Sequence, residues 1–95
     1  MAVIRKTKQA HEDLYHIWHY IAVENDNPQN AERFIDMLDQ AMNDLAHSPK
    51  IGSVKGEYMR DIRQFVYQKY LILYFALEDG IEVVRVLHSA RDIGR

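Results

Sequence analysis

The side chains in this sequence that could do chemistry fall into two sets. Glu12, His16 and His19 recur at spacings that put them on one side of a helix. A carboxylate with imidazoles is a ligand combination for zinc and similar metals. No fourth ligand is evident and the face is the polar one, so these residues read as ordinary solvated groups and no metal is assigned. The second set is Arg60, Arg63, Lys69, Arg85, His88 and Arg91, all in the C-terminal half. A metal-free ribonuclease needs a general base for the 2′-hydroxyl, cations for the phosphate and an acid for the leaving oxygen. Among these residues, His88 with Arg63, Lys69 and Arg85 is the combination that offers those roles, and only His88 is an obvious candidate to exchange a proton. The structural reading stands beside it. A single His at a strand end is commonly a packing residue, and Asp61, Glu82 and Asp92 lie near enough in sequence to neutralise several of the cations.

Other mechanisms fail on inventory. There is no Cys nucleophile, no glycine-rich phosphate loop after a strand, and Ser48, Ser53 and Ser89 sit in loop or tail sequence rather than in a nucleophile elbow. No cofactor is expected. Tyr15, Trp18 and Tyr20 flank an apolar helix stripe, where they serve either as boundary packing or as a docking patch.

The elements that position these groups follow from periodicity. Val3 to Thr7 alternate as a short strand, and the Thr7 hydroxyl is placed to cap a helix beginning near Lys8. In that helix Ala10, Leu14, Ile17 and Ile21 form one stripe. Asn27-Pro28 caps and opens a second helix, whose stripe runs Ala31, Phe34, Ile35, Leu38, Ala41, Met42, Leu45 until Ser48-Pro49 stops it. So short a link makes the two helices antiparallel neighbours. Residues 48 to about 57 read as a loop. Asp61 to Val66, Tyr70 to Leu77 and Ile81 to His88 then read as an antiparallel meander of strands, joined by Tyr67-Gln68-Lys69 and Glu78-Asp79-Gly80, with a polar tail expected to be mobile beyond Asp92. The expected fold class is α+β: an N-terminal strand, a two-helix antiparallel hairpin and a three-stranded antiparallel meander.

Ninety-five residues suffice for a single domain, 1–95, with an economical core. No apolar run is long enough to span a bilayer, no secretory signal is recognisable, and the absence of Cys fits a reducing compartment, so a soluble, cytoplasmic protein with no membrane partner is expected. Charge is divided along the chain. Residues 9–47 carry eight acids against Arg33 alone, and bases are in excess elsewhere. That split concerns partners, and with a net charge of −2 the chain lacks the basic excess of a general nucleic-acid binder or of direct sequence-specific DNA binding.

Five fragments in order carry a family resemblance over nearly the whole chain. Ala10-x-x-Asp13-Leu14-x-x-Ile17-Trp18-x-Tyr20-Ile21-Ala22, Ala31-Glu32-Arg33-Phe34 and Ser48-Pro49-x-Ile51-Gly52 resemble the helical hairpin and following loop of ParE-type toxins in the RelE/ParE superfamily. Arg63-x-Phe65-x-x-x-x-Tyr70-Leu71-Ile72-Leu73-Tyr74 and Ile81-Glu82-Val83-Val84-Arg85-Val86-Leu87-His88-x-x-Arg91-Asp92 resemble its sheet and ending. The resemblance implies the toxin of a type II toxin–antitoxin system, neutralised in a hetero-oligomer by a cognate antitoxin whose C-terminal segment folds across it. ParE-type members are associated with poisoning DNA gyrase through protein contact, and RelE-type relatives with cleaving messenger RNA in the ribosome.

The two branches differ at the site. Where the nuclease branch commonly has a strand Arg this chain has Leu71, and His88 is followed by Ser89 rather than Tyr. Gln68-Lys69 replaces the Gly-Arg common in the ParE turn. The favoured expectation is gyrase inhibition without chemistry, with Arg63, Lys69, Arg85, His88 and Arg91 as target-binding candidates. Tyr15, Trp18, Tyr20, Arg60 and Arg63 are the antitoxin-binding candidates. A ribosome-dependent nuclease and a binding module without toxicity are the alternatives.

Overall fold

Each helix begins where a side chain can replace a missing backbone partner. In the computed structural model, which describes residues 2–54 and 61–90, the first strand, β1 (Val3–Lys6), leads into α1 (Lys8–His19). Thr7 caps α1 by accepting the Ala10 N–H at 3.1 Å, and its hydroxyl donates to the Val84 carbonyl at 2.8 Å. One side chain thus starts the helix and ties it to the far end of the chain. α1 widens into a π-helical turn at Tyr20–Glu24, where Ala22 is buried. Asp26 then takes a positive φ of 52°, Asn27 caps α2 (Pro28–His47) through the Asn30 N–H at 3.1 Å, and Pro28 occupies its first turn.

The sequence between helix and meander, expected to be loop, is more ordered where it is described. A short 3₁₀ turn at Pro49–Ile51 is followed by β2 (Ser53–Val54). β3 (Arg63–Tyr67), β4 (Tyr70–Leu77) and β5 (Gly80–His88) form the meander, and the five-stranded sheet has the order β1-β5-β4-β3-β2. One ladder departs from the antiparallel expectation: β1 runs parallel to β5, with Ile4 beside Ile81 and Lys6 beside Val83. The helical hairpin and the first strands of the meander together make the long connection that a parallel pair needs. Gly80 permits it, because a Cβ there would lie 1.8 Å from the Val3 carbonyl oxygen.

The core lies between the helices and one face of the sheet. Leu38, Met42 and Leu45 of α2 and Ala10 and Ile17 of α1 meet Tyr70, Ile72 and Tyr74 of β4 and Ile81, Val83 and Val86 of β5. Leu38, Met42, Ile72, Ile81 and Val83 are fully buried, each contributing about 2 kcal/mol relative to exposure. The step from Val83 to Val86 breaks the two-residue alternation. β4 pairs Leu73 with Arg85 but Tyr74 with Val83, so Val84 is an extra residue and the strand is bulged. Arg60 and Arg91, Gly56 of the expected loop, and the expected mobile tail beyond Asp92 lie outside the described residues.

Candidate functional site

β1 ends at Lys6 while β5 continues to His88, so among the described residues the outer half of β5 has β4 on one side and no strand on the other. A sheet edge left this way needs other partners for its backbone. Side chains supply them. Beyond Thr7 and its bond to Val84, Asp13 of α1 takes the Val86 N–H on Oδ2 at 2.9 Å. The same carboxylate forms a two-point pair with Arg85, Nε to Oδ2 at 2.8 Å and Nη2 to Oδ1 at 3.0 Å. Arg85 therefore docks α1 on the bulged strand, and its two-point grip turns the guanidinium toward the fold.

Arg63 has a comparable task at the other side of the sheet. It stands opposite Tyr74 in the β3–β4 ladder. The Tyr74 hydroxyl donates to the Pro49 carbonyl at 2.7 Å and accepts the Gly52 N–H at 2.9 Å. Arg63 Nη1 donates to the Gly52 carbonyl at 2.7 Å and to the Lys50 carbonyl at 3.3 Å. Together they clamp residues 49–52 against the sheet. Gly52 is required there, since a Cβ would lie 2.4 Å from the Tyr74 hydroxyl. Burial raises the Tyr74 hydroxyl pKa above its ordinary value, against the opposing pull of the Gly52 N–H and the Arg63 charge.

Lys69 and His88 share the opposite end of the meander. Lys69 occupies the Gln68-Lys69 turn, whose first residue has a φ of 54°, and its carbonyl accepts the Ser89 N–H at 2.8 Å. The His88 ring stands edge-on to Tyr70 at 5.1 Å, and its Nδ1 accepts the Ala90 N–H at 3.2 Å. The described cations of the sequence set are thus spread apart. Arg63 begins β3 and Lys69 lies in the turn beyond its far end, a strand length of about 14 Å, while Arg85 is held against α1.

On α1, Glu12, His16 and His19 are exposed as expected, and no three His, Asp or Glu side chains among the described residues are placed to hold a metal. Tyr15 is 60% exposed and packs its ring on His16 and His19 at 5.9 Å each. Trp18 reaches across the hairpin, its Nε1 donating to Glu32 Oε2 at 3.0 Å. Tyr20 opens the π turn and is exposed. These aromatics form one end of the hairpin, away from Arg63.

Two surfaces escaped the residue-type reading. Leu71, Leu73, Phe75 and Leu87 alternate with the core residues and so face away from the helices, with Val66, Leu71 and Leu87 in one cross-strand row. Val66 is 56% exposed. The second surface is an apolar groove of about 300 Å³ between α2 and β3, walled by Met37, Ala41, Leu45, Ile51, Phe65 and Tyr67, with Gln40 and Asp44 at its polar side. The doubly apolar strand Tyr70–Leu77 was the available signal for the first. Nothing local marks the second, which exists because residues 49–52 are clamped where they are.

Set against known proteins, residues 4–93 match the model of the ParE toxin of type II toxin–antitoxin systems, parDE. A solved chain of the chromosomal ParDE TA system from P. aeruginosa superposes with a TM-score of 0.73 at 16% identity, covering 93% of this chain and 96% of that one. At that identity the likeness concerns the fold. No curated protein matches.

Proposed function

Because the chain belongs to the ParE toxin family of type II toxin–antitoxin systems, we propose that it inhibits DNA gyrase by protein contact and is neutralised by a cognate antitoxin. The observation that carries the contact mechanism is the employment of the sheet cations. Arg85 is engaged by Asp13 and Arg63 by the carbonyls of Lys50 and Gly52. A phosphate clamp for RNA cleavage requires such guanidinium groups to be turned toward substrate. What faces outward from the sheet is an apolar strip, Leu71, Leu73, Phe75 and Leu87 beside Val66, with Gln64, Glu82 and Arg85 in the same cross-strand rows. That face, with Lys69 at its end, is the surface offered to the target; Arg63 holds the frame behind it, Arg85 reaches from the row of Leu73 to Asp13, and His88, opposite Tyr70, lies on the helix side. The target is reached in the cytoplasm, where gyrase and the antitoxin are both available.

Adding purified protein to a gyrase supercoiling reaction tests this reading. Loss of supercoiling with accumulation of cleaved DNA is the expected result. Unchanged supercoiling at concentrations far above the antitoxin affinity overturns it. Induction without antitoxin should trigger the DNA-damage response before translation stops; messenger cleavage abolished by His88→Ala would instead assign the ribosomal nuclease activity, and harmless expression would assign a binding module.

A further inference from the structure

The outward face of the sheet is apolar along a single strand. Leu71, Leu73 and Phe75 follow one another on β4, half-buried, over a length of about 14 Å. Their cross-strand neighbours decide what can cover them. Gln64 and Arg85 stand beside Leu73, and Glu82 stands beside Phe75 with Arg5 of β1 on its other side. At the Leu71 end the strip widens to Val66 and Leu87.

A second sheet fits this surface badly. Face-to-face packing engages several strands of each sheet about 10 Å apart, and here it would take Arg5, Gln64 and Glu82 out of water. A single rod with one narrow apolar stripe covers β4 and leaves those side chains wetted at its rim. An amphipathic helix has that shape. At a rise of 1.5 Å per residue, about ten residues span the strip, with apolar side chains recurring at steps of three and four.

The two ends of the strip differ in charge. The turn beyond Phe75 carries the exposed Glu78 and Asp79, which together with Glu82 outnumber the nearby Arg5 and Lys50. The turn before Leu71 carries the exposed Lys69. A helix is partly positive at its N-terminus and partly negative at its C-terminus. The matching direction puts the N-terminus at Glu78 and Asp79 and the C-terminus at Lys69, antiparallel to β4.

We propose that the target, whose inhibition by contact is the premise taken from the functional reading above, lays an amphipathic helix along Leu71, Leu73 and Phe75 in that direction. Its apolar stripe meets the β4 side chains, with the broadest contact where Val66 and Leu87 join Leu71. Gln64 and Glu82 meet the polar flanks of the helix, and the charges of the two turns set which way it runs.

The test uses the full chain and gyrase. A photoreactive benzoylphenylalanine introduced at Leu73 should crosslink to one gyrase segment, at residues recurring three and four apart. Leu73→Lys and Phe75→Lys put a charge in the strip on the side away from the core, and each should weaken inhibition of supercoiling at least tenfold with the melting temperature nearly unchanged. Val66→Lys, at a residue 56% exposed, should weaken it at least threefold and guards against a folding defect in the other two. Lys69→Glu should weaken it about threefold at low salt and less at high salt; inhibition unchanged by it at low salt overturns the direction. Crosslinks to an extended segment, or inhibition that Leu73→Lys, Phe75→Lys and Val66→Lys all leave intact, overturn the docking mode and leave the functional reading standing. Failure of the unaltered chain to inhibit gyrase removes the premise and the proposal together. Self-association of the free chain, abolished by Leu73→Lys, assigns the strip to a second copy and overturns it.

Discussion

The Asp13 carboxylate grips Arg85 by two hydrogen bonds, 2.8 and 3.0 Å, and with the same Oδ2 takes the N–H of the next residue, Val86. Its side chain is 11% exposed and that of Arg85 39%. The two partners are therefore unequal. Removing Asp13 leaves a shielded backbone N–H without its acceptor and takes two hydrogen bonds from the guanidinium, whereas removing Arg85 leaves Asp13 still bonded to Val86. Asp13→Ala should cost about 2 kcal/mol, a fall in melting temperature of roughly 10 °C. Arg85→Ala should cost about 1 kcal/mol or less, solvent already screening that side of the pair. Chemical denaturation of both variants checks the order; equal losses would mean that the ion pair, not the backbone bond, dominates.

Tyr74 ties the loop to the sheet through two hydrogen bonds of its hydroxyl, which Tyr74→Phe removes while keeping the ring. The Gly52 N–H and Pro49 C=O lose their partner, at a cost of about 1–2 kcal/mol. The pH dependence has a definite sign. Burial holds the folded hydroxyl pKa above the unfolded value of 10.0, so the unfolded chain releases its proton first and alkali favours unfolding. The Tyr74 contribution is complete below that value and disappears as pH rises through the folded one. Melting temperatures measured from pH 8 to 11 should fall less steeply at the alkaline end for Tyr74→Phe than for the unaltered chain.

Gly80→Ala should separate β1 from the sheet. The added methyl would lie 1.8 Å from the Val3 carbonyl oxygen, with backbone rather than a flexible side chain in the way. A loss of about 3 kcal/mol is expected. Amide exchange should be faster at Ile4, Arg5 and Ile81 than at Ile72, and uniform acceleration would place the damage elsewhere.

How much of this could be read from residue order depends on whether the cause was local. The Thr7 and Asn27 caps, the Pro28 start and both apolar stripes depend on neighbours a few residues away, and each stands where periodicity put it. The parallel β1–β5 ladder was not legible, because it depends on Gly80 meeting Val3 across most of the chain. Site candidates divide the same way. A guanidinium in the sequence carries no mark of its partner, and Arg63 and Arg85 looked like a shared surface until Gly52 and Asp13 were found beneath them. Asp13 did leave a trace: a carboxylate between Ala10 and Leu14, at the border of the α1 core stripe, has to be paired with something. The groove left none, since its walls come from three separate segments.

His88 distinguishes contact from chemistry, and a conservative change at that position makes the distinction sharper than truncation would. Its ring packs edge-on against Tyr70 and its Nδ1 accepts the Ala90 N–H, so its surroundings hold it in place from two sides. His88→Gln keeps a polar group of similar reach but no group that exchanges a proton near neutrality. If the chain acts by binding, inhibition of gyrase by this variant should remain within a few-fold of the unaltered protein, and the inhibition should vary little between pH 6 and 8. If His88 moves a proton in RNA cleavage, the variant should lose at least about 100-fold in activity, and growth inhibition on induction should vanish with it. Scoring the same variant for supercoiling in vitro and growth arrest in cells separates the outcomes, because a binding residue affects both in proportion and a catalytic one abolishes the arrest alone.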